Sequence, residues 1–202
     1  MLLNFKEAVK IIKKGGVVAF PTESFYGLAA LPTSKKSIEK IFKVKERDRG
    51  KPISLILSSE KELSKWVKEI SPEAQKLIKA FWPGPLTLVF KAKKKVSPVL
   101  TAGSGTIAIR VSSHPIAKNL AKKSGGAITA TSCNLSGEPP CVSGLSVINK
   151  IGTRMDGVIS GGRLYSKKGS TILDTSNKEL KVLREGQISR KQIQKVLKKD
   201  IL

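Results

Sequence analysis

Between positions 43 and 51 the chain sets Lys43, Lys45, Arg47, Arg49 and Lys51 at alternate positions. Such a row is either a solvated basic face or a clamp for a polyphosphate. A clamp needs several cations converging on one group, and arginine adds bidentate geometry. A second stretch, Ala130-Thr131-Ser132-Cys133-Asn134-Leu135-Ser136-Gly137, is rich in small donors and acceptors. Backbone N–H groups in such a loop can form an anion-binding nest. Its plainer reading is an Asx or Ser/Thr turn. A third, Phe20 to Leu28, crowds hydroxyls, a carboxylate and aromatics. Lys168 to Asp174 and Leu183 to Gly186 complete the set. Each of these could be an ordinary turn beside a strand.

Other chemistries lack their residues. The chain has a single histidine, His114, placed before Pro115. That position reads as the start of a helix, so a hydrolase triad has no other histidine to use. There is no GxxxxGK[ST] loop, GxGxxG, HExxH or GxSxG. Cys133 and Cys141 form neither a CxxC motif nor a metal quartet, and read as reduced thiols. No metal site is expected from the protein's own side chains.

The elements that must position these stretches follow from periodicity and caps. Residues 4–14 read as an amphipathic helix closed by Gly15–Gly16. Helices are also expected over 34–45, after Ser59 with Glu62 as a capping box, from Ser71-Pro72, from His114-Pro115 to about Lys123, over 144–151 and over 190–199. Strands are expected at 17–20, 53–57, 86–90, 106–111, 127–130, 157–159, 171–174 and 181–183. Pro83-Gly84-Pro85 forces a break. Interleaved helices and strands argue for an α/β fold, a sheet covered by helices.

The chain has 202 residues, 40% of them hydrophobic, enough for a single domain over 1–202. Lys+Arg is 38 against 15 Asp+Glu, a formal net charge of +23. That surplus attracts polyanions, so nucleic acid, nucleotide triphosphates and anionic membrane surfaces are candidate partners. No apolar run approaches the roughly 20 residues of a membrane span. Residues 1–14 lack the features of a signal peptide. A soluble, cytoplasmic protein without a membrane partner is expected.

Taken in order, the stretches resemble the YrdC-like family, whose active members are threonylcarbamoyl-AMP synthases. The similarity covers about residues 8–189. The family's PTET-x-YGL pattern is Pro21 to Leu28, and its K-x-R…KP pattern is Lys45, Arg47, Lys51 and Pro52. WPGPLT stands unchanged at Trp82 to Thr87. Thr106, Ala108, Arg110, His114 and Pro115 match the T-x-A-x-R…HP pattern. Ser132, Asn134, Ser136 and Gly137 match S-x-N-x-SG; Ser170, Thr171 and Asp174 match ST-x-x-D; Leu183, Arg184 and Gly186 match LR-x-G. Departures are Ser24 for threonine, Ile56 where histidine is frequent, Cys133 for alanine and Pro140 for serine.

The resemblance implies a twisted, open, mixed sheet with helices packed on it and a concave basic surface, in the short single-domain form. It implies a nucleotidyltransferase making threonylcarbamoyl-AMP and pyrophosphate from L-threonine, bicarbonate or CO₂, and ATP. ATP is a substrate, with Mg²⁺ expected beside its phosphates. Carried over by position, Lys45 and Arg47 are the catalytic pair. Lys45, Arg47, Lys51, Thr106, Ser132, Asn134, Pro140 (through its backbone) and Arg184 would hold ATP. Ser24, Arg110, Ala130 and Ser170 would hold threonine. The product would serve a downstream threonylcarbamoyl-transfer enzyme in tRNA modification, and the basic surface would bind tRNA. The competing readings are a non-catalytic RNA-binding module of the same fold and an enzyme that adenylates another carbamoyl donor, as the YrdC-like domain of hydrogenase-maturation proteins does.

Overall fold

In a computed structural model, which describes residues 1–201, side-chain caps set where most helices begin. Asn4 and Glu7 cap each other's backbone at the start of α1 (Phe5–Lys13), and Gly15, at φ +89°, turns the chain out of it. Ser34 opens α2 (Lys35–Lys45). Ser71 and Pro72 open α3 (Pro72–Phe81), and Ser97 opens the short α4 (Pro98–Thr101). His114 accepts from the Ile116 N–H at the start of α5 (Pro115–Lys123), the structural role its position suggested. Ser143 and Ser189 head capping boxes for α6 (Gly144–Ile151) and α7 (Arg190–Leu197). The capping box expected at Ser59 is absent. There Glu60–Lys65 is a 3-10 helix, and Ser59 offers only its carbonyl, to Glu62 N. The last helix ends at Leu197, because Lys198 turns left-handed at φ 56°.

The strands are β1 (Leu2–Leu3), β2 (Val18–Phe20), β3 (Gly27–Ala29), β4 (Leu55–Leu57), β5 (Leu86–Lys91), β6 (Thr106–Val111), β7 (Ala127–Thr129), β8 (Thr131–Ser132), β9 (Gly157–Ile159), β10 (Thr171–Asp174) and β11 (Lys181–Arg184). The α/β class expected from the sequence holds, with its strands divided between two mixed sheets. One sheet runs β1-β9-β2-β3-β8; the other runs β11-β10-β5-β6-β4-β7. The chain passes between the sheets at Ala130, where β7 ends and β8 begins. Ala130 N donates to Ser54 O at 2.8 Å, and Ser54 Oγ returns a bond to Ala130 O at 2.8 Å.

Two cores flank the strands. Ala19, Leu55 and Leu57 face one, which includes Ile38, Ile41 and Leu77 from the helices. Val18, Phe20 and Ile56 face the other, packed against Ala8 and Ile12 of α1 and Ala117 and Leu120 of α5. The two-residue period of a strand does this sorting. Because both faces are covered, β2 and β4 read as unbroken apolar runs. Among the described residues no helix is long and apolar enough to cross a membrane.

Candidate active site

Across β10, β5 and β6 the larger sheet leaves one face uncovered by helices. Leu86, Leu88 and Phe90 of β5, Ile107 and Ile109 of β6 and Leu173 of β10 turn into the core. Their alternates, Thr87 and Val89, Thr106, Ala108 and Arg110, and Ile172 and Asp174, floor an open cleft of about 460 Å³. The register places Val89 between Ala108 and Asp174, and Thr87 beside Ile172. Walls come from Thr22 and Ser24 to Gly27, from Arg47, Lys51, Pro52 and Ser54, from Ala130 to Ser132, and from Gly169, Ser170, Leu183 and Arg184.

One end is lined with hydroxyls around a guanidinium. Thr87 Oγ1 and Ser170 Oγ lie 2.9 Å apart, and Thr22 Oγ1 and Ser24 Oγ 3.1 Å. Arg110 is 8% exposed and faces Glu23, with Nε 3.2 Å from Oε1. That approach is an ion pair without hydrogen-bond alignment, since both atoms lack a bonded partner. Glu23 Oε2 accepts from Ser112 Oγ. The terminal nitrogens of Arg110 have no hydrogen bond among the described residues and remain reachable from the cleft.

Arg184 is fixed by Ser170. Its Nε and Nη2 donate to Ser170 O at 3.1 and 2.8 Å, and Nη2 also meets Ser170 Oγ at 3.2 Å. Burial, then the charge of Arg110, lowers the pKa of Arg184 from its ordinary value. An anion bound beside Arg184 would offset that penalty. Arg47 is held by Lys51 O and Pro52 O at 3.3 and 3.0 Å, and burial lowers its pKa too. Asp174 is the only carboxylate on the lining among the described residues.

The structure gathers Ser24, Arg47, Lys51, Thr106, Arg110, Ala130, Ser132, Ser170 and Arg184 on this one lining. It does not bring Lys45, Asn134 or Pro140 onto it. Lys45 is 1% exposed, and its ammonium donates to Ser132 O, to Asn134 O at 2.8 Å and to Asn134 Oδ1 at 3.0 Å. It holds the Ser132–Asn134 loop rather than forming part of the cleft wall. Asn134 is spent inside that loop, accepting from Ser132 Oγ at 2.6 Å and donating to Glu138 O at 2.6 Å. Arg49, from the same basic row, pairs with Glu39 instead. Ile56, the register partner of Arg110, shares its face of the sheet but is buried there under α5, off the cleft lining. Thr22, Thr87 and Asp174 also line the cleft, and their place inside the family's motifs is the signal in the sequence that points to them.

Gly186 secures the Arg184 corner. A Cβ there would come within 2.5 Å of the Ser170 carbonyl carbon and 2.6 Å of Thr171 N, and closer still to Gly169 O. All three contacts are backbone and cannot swing aside. Gly186→Ala is expected to cost about 1–3 kcal/mol by overpacking. It should also displace Ser170 and Arg184, lowering affinity for anionic ligands. A urea melt and a pyrophosphate titration check this; an unchanged midpoint would show the corner is slack.

The fold and the site therefore define an α/β protein with an open cationic cleft, hydroxyl-lined at one end. The profile of the Sua5/YciO/YrdC family, described as "Telomere recombination", matches residues 10–186, and the chain belongs to that family. A threonylcarbamoyl-AMP synthase of Pyrococcus abyssi is 36% identical over 190 residues, covering 94% of this chain and 56% of the relative. One of Vibrio campbellii is 32% identical over 185 residues, covering 91% of this chain and 99% of its own. The chain thus spans little more than half of the Pyrococcus relative and nearly all of the Vibrio one. Among solved structures, P. abyssi Sua5 complexed with L-threonine superimposes with a TM-score of 0.94 at 35% identity, covering 98% of this chain and 58% of Sua5. Escherichia coli YciO does so with a TM-score of 0.83 at 30% identity, over 91% of this chain and 89% of its own.

Proposed function

We propose that this chain is a threonylcarbamoyl-AMP synthase. The observation that carries the reading is the single cleft in which hydroxyls around Arg110 adjoin the cations Arg47, Lys51 and Arg184. Relatives of matching length bear that enzyme's name, and a structural neighbour was solved with L-threonine. The same names favour an enzyme over a non-catalytic RNA-binding module.

In this reading Arg110 pairs with the threonine carboxylate, and Ser24, Thr87 and Ser170 surround the rest of the amino acid. The threonine amine takes up bicarbonate with loss of water, or CO₂ directly, to become a carbamate. A carbamate oxygen attacks the α-phosphorus of ATP, and the bond to the β-phosphate bridging oxygen breaks. Pyrophosphate leaves with that electron pair. Arg47, Lys51 and Arg184 offset charge on the triphosphate and hold it in line with the carbamate. Lys45 acts one step back, by fixing the Ser132 wall. No group of three or more metal-ligating side chains lies among the described residues. Mg²⁺ would arrive with ATP, bound mainly by phosphate oxygens and water. The product is a mixed anhydride for a second enzyme that modifies tRNA. The +23 charge would favour direct contact with that RNA.

The test is pyrophosphate release from MgATP by the purified chain. Release is expected to require both L-threonine and bicarbonate, with the adenylate seen by mass spectrometry. Arg47→Ala is expected to cut it by about 100-fold or more through a lost charged contact to phosphate. Release indifferent to threonine, or an Arg47→Ala variant with normal turnover, would overturn the assignment.

A further inference from the structure

We propose that Asp174 reads the nucleoside of the bound triphosphate by accepting a hydrogen bond from a ribose hydroxyl or from the exocyclic amine of adenine. The inference rests on the cleft being an ATP site. Charge handling has no use for this residue, because a carboxylate in a polyphosphate site repels the ligand unless it meets a donor.

Its placement says which part of the ligand it meets. Asp174 ends β10, and the sheet runs β10-β5-β6-β4. Arg47, Lys51 and Pro52 lead directly into β4. Neighbouring strands stand about 4.8 Å apart, so β10 lies about 14 Å across the floor from β4. With its outer phosphates at Arg47 and Lys51 and its α-phosphate toward Arg184, beside the threonine end, a triphosphate turns its nucleoside over β6 and β5 toward the Asp174 end of β10. The row it crosses is Ala108, Val89 and then Asp174 itself, apolar in its first two members, with Ile172 two residues back on β10 and Leu183 on the wall. A base or sugar face lies against such side chains, and its polar edge then reaches Asp174.

The side chain is held for that task. Oδ1 accepts from Ser176 N at 2.8 Å. Oδ2 has no hydrogen-bond partner and the carboxylate no ion pair among the described residues; Lys181, its cross-strand neighbour, is exposed and stays apart. One fixed oxygen and one free acceptor, beside an apolar floor, fit a neutral donor on the ligand.

Equilibrium binding of ATP, inosine triphosphate, 2′-deoxy-ATP and 3′-deoxy-ATP to the wild type, Asp174→Asn and Asp174→Ala tests this, with thermal melts to show that each variant is folded. Asp174→Ala is expected to bind ATP about 10- to 100-fold more weakly, the effect of losing one charged hydrogen bond. If the base is the donor, the wild type prefers ATP to inosine triphosphate and Asp174→Asn narrows or reverses that ratio. If the ribose is the donor, the wild type penalises a deoxy analogue and Asp174→Ala removes the penalty. Wild-type ratios in both variants would overturn the proposal. So would a loss seen only with Mg²⁺ present, which would make Asp174 a metal contact. Tighter binding of every nucleotide and of pyrophosphate by Asp174→Ala would also overturn it, leaving a mere counterweight. A wild type that binds no ATP would defeat the synthase reading itself, whereas ATP binding indifferent to Asp174 defeats only this inference.

Discussion

Arg110→Ala is expected to lower threonine-dependent turnover by at least about 100-fold and to cost about 3–5 kcal/mol of stability. Both losses come from one geometry. Arg110 and Glu23 are 9% and 12% exposed at their side chains and face each other at 3.2 Å. Removing the guanidinium leaves Glu23 buried, with the Ser112 hydroxyl as its remaining side-chain partner. The charge lost to the threonine carboxylate is a separate effect, since it uses the terminal nitrogens that Glu23 leaves free. Arg110→Lys keeps the charge and loses the fork, so stability should recover more than binding does. The pair Glu23→Gln with Arg110→Met separates the two roles. It should recover much of the stability, because a neutral pair no longer strands a buried charge, and recover none of the threonine affinity. Calorimetric titration with L-threonine and urea melts of the single and double variants read the two effects independently. Threonine affinity regained in the double variant would remove Arg110 from the binding role.

How much of this was legible in the sequence depended on whether the signal was local. Helix starts were legible because a capping side chain bonds its own first turn, as at Ser71, His114 and Ser189. Ser59 carried the same pattern and failed, because its segment winds as a 3-10 helix and its hydroxyl makes no cap. The short strands β1, β3 and β8 leave no clear local pattern; β3 comes just after Pro21-Thr22-Glu23-Ser24, which reads as a turn. Pairing between distant strands left no local trace, so the division into two sheets was not readable. Nor was the Glu23–Arg110 pair, which joins positions far apart in the chain. Motif positions point to the cleft because strand alternation brings Thr87 and Arg110 to one face, with Ser170 just before β10 and Ala130 just after β7 beside them. Lys45 is the instructive case. Its charge placed it in a basic row, yet it stands three and four residues after Phe42 and Ile41 and seven after Ile38, on the buried stripe of α2. Helical period, applied to the lysine as well as to the apolar residues, would have turned it inward.

That inward position makes Lys45 the second large effect. Lys45→Met, which preserves much of the volume, is expected to cost about 2–4 kcal/mol by leaving Ser132 O and both Asn134 oxygens short of a donor. The Ser132 wall then loosens, and ATP-dependent turnover should fall by about 10- to 100-fold even where the chain remains folded. Burial, and then the Arg47 charge, push the Lys45 ammonium from 10.5 down to about 8, against three oxygens that favour its charged form. At neutral pH it therefore keeps the three protons its three acceptors need. Above about pH 8 it loses one, and turnover should decline. Stability moves the opposite way for this group. The unfolded chain holds the proton up to about 10.5, so between about 8 and 10.5 the unfolded state binds more protons and rising pH favours the fold. Alkaline loss of activity should thus come without a drop in the melting temperature attributable to Lys45. The measurement is turnover and melting temperature of wild type and Lys45→Met from pH 7 to 10. The wild type should show the alkaline decline, and the methionine variant should be low and flat. A variant that keeps the same alkaline limb would assign that titration to another group and return Lys45 to a purely structural role.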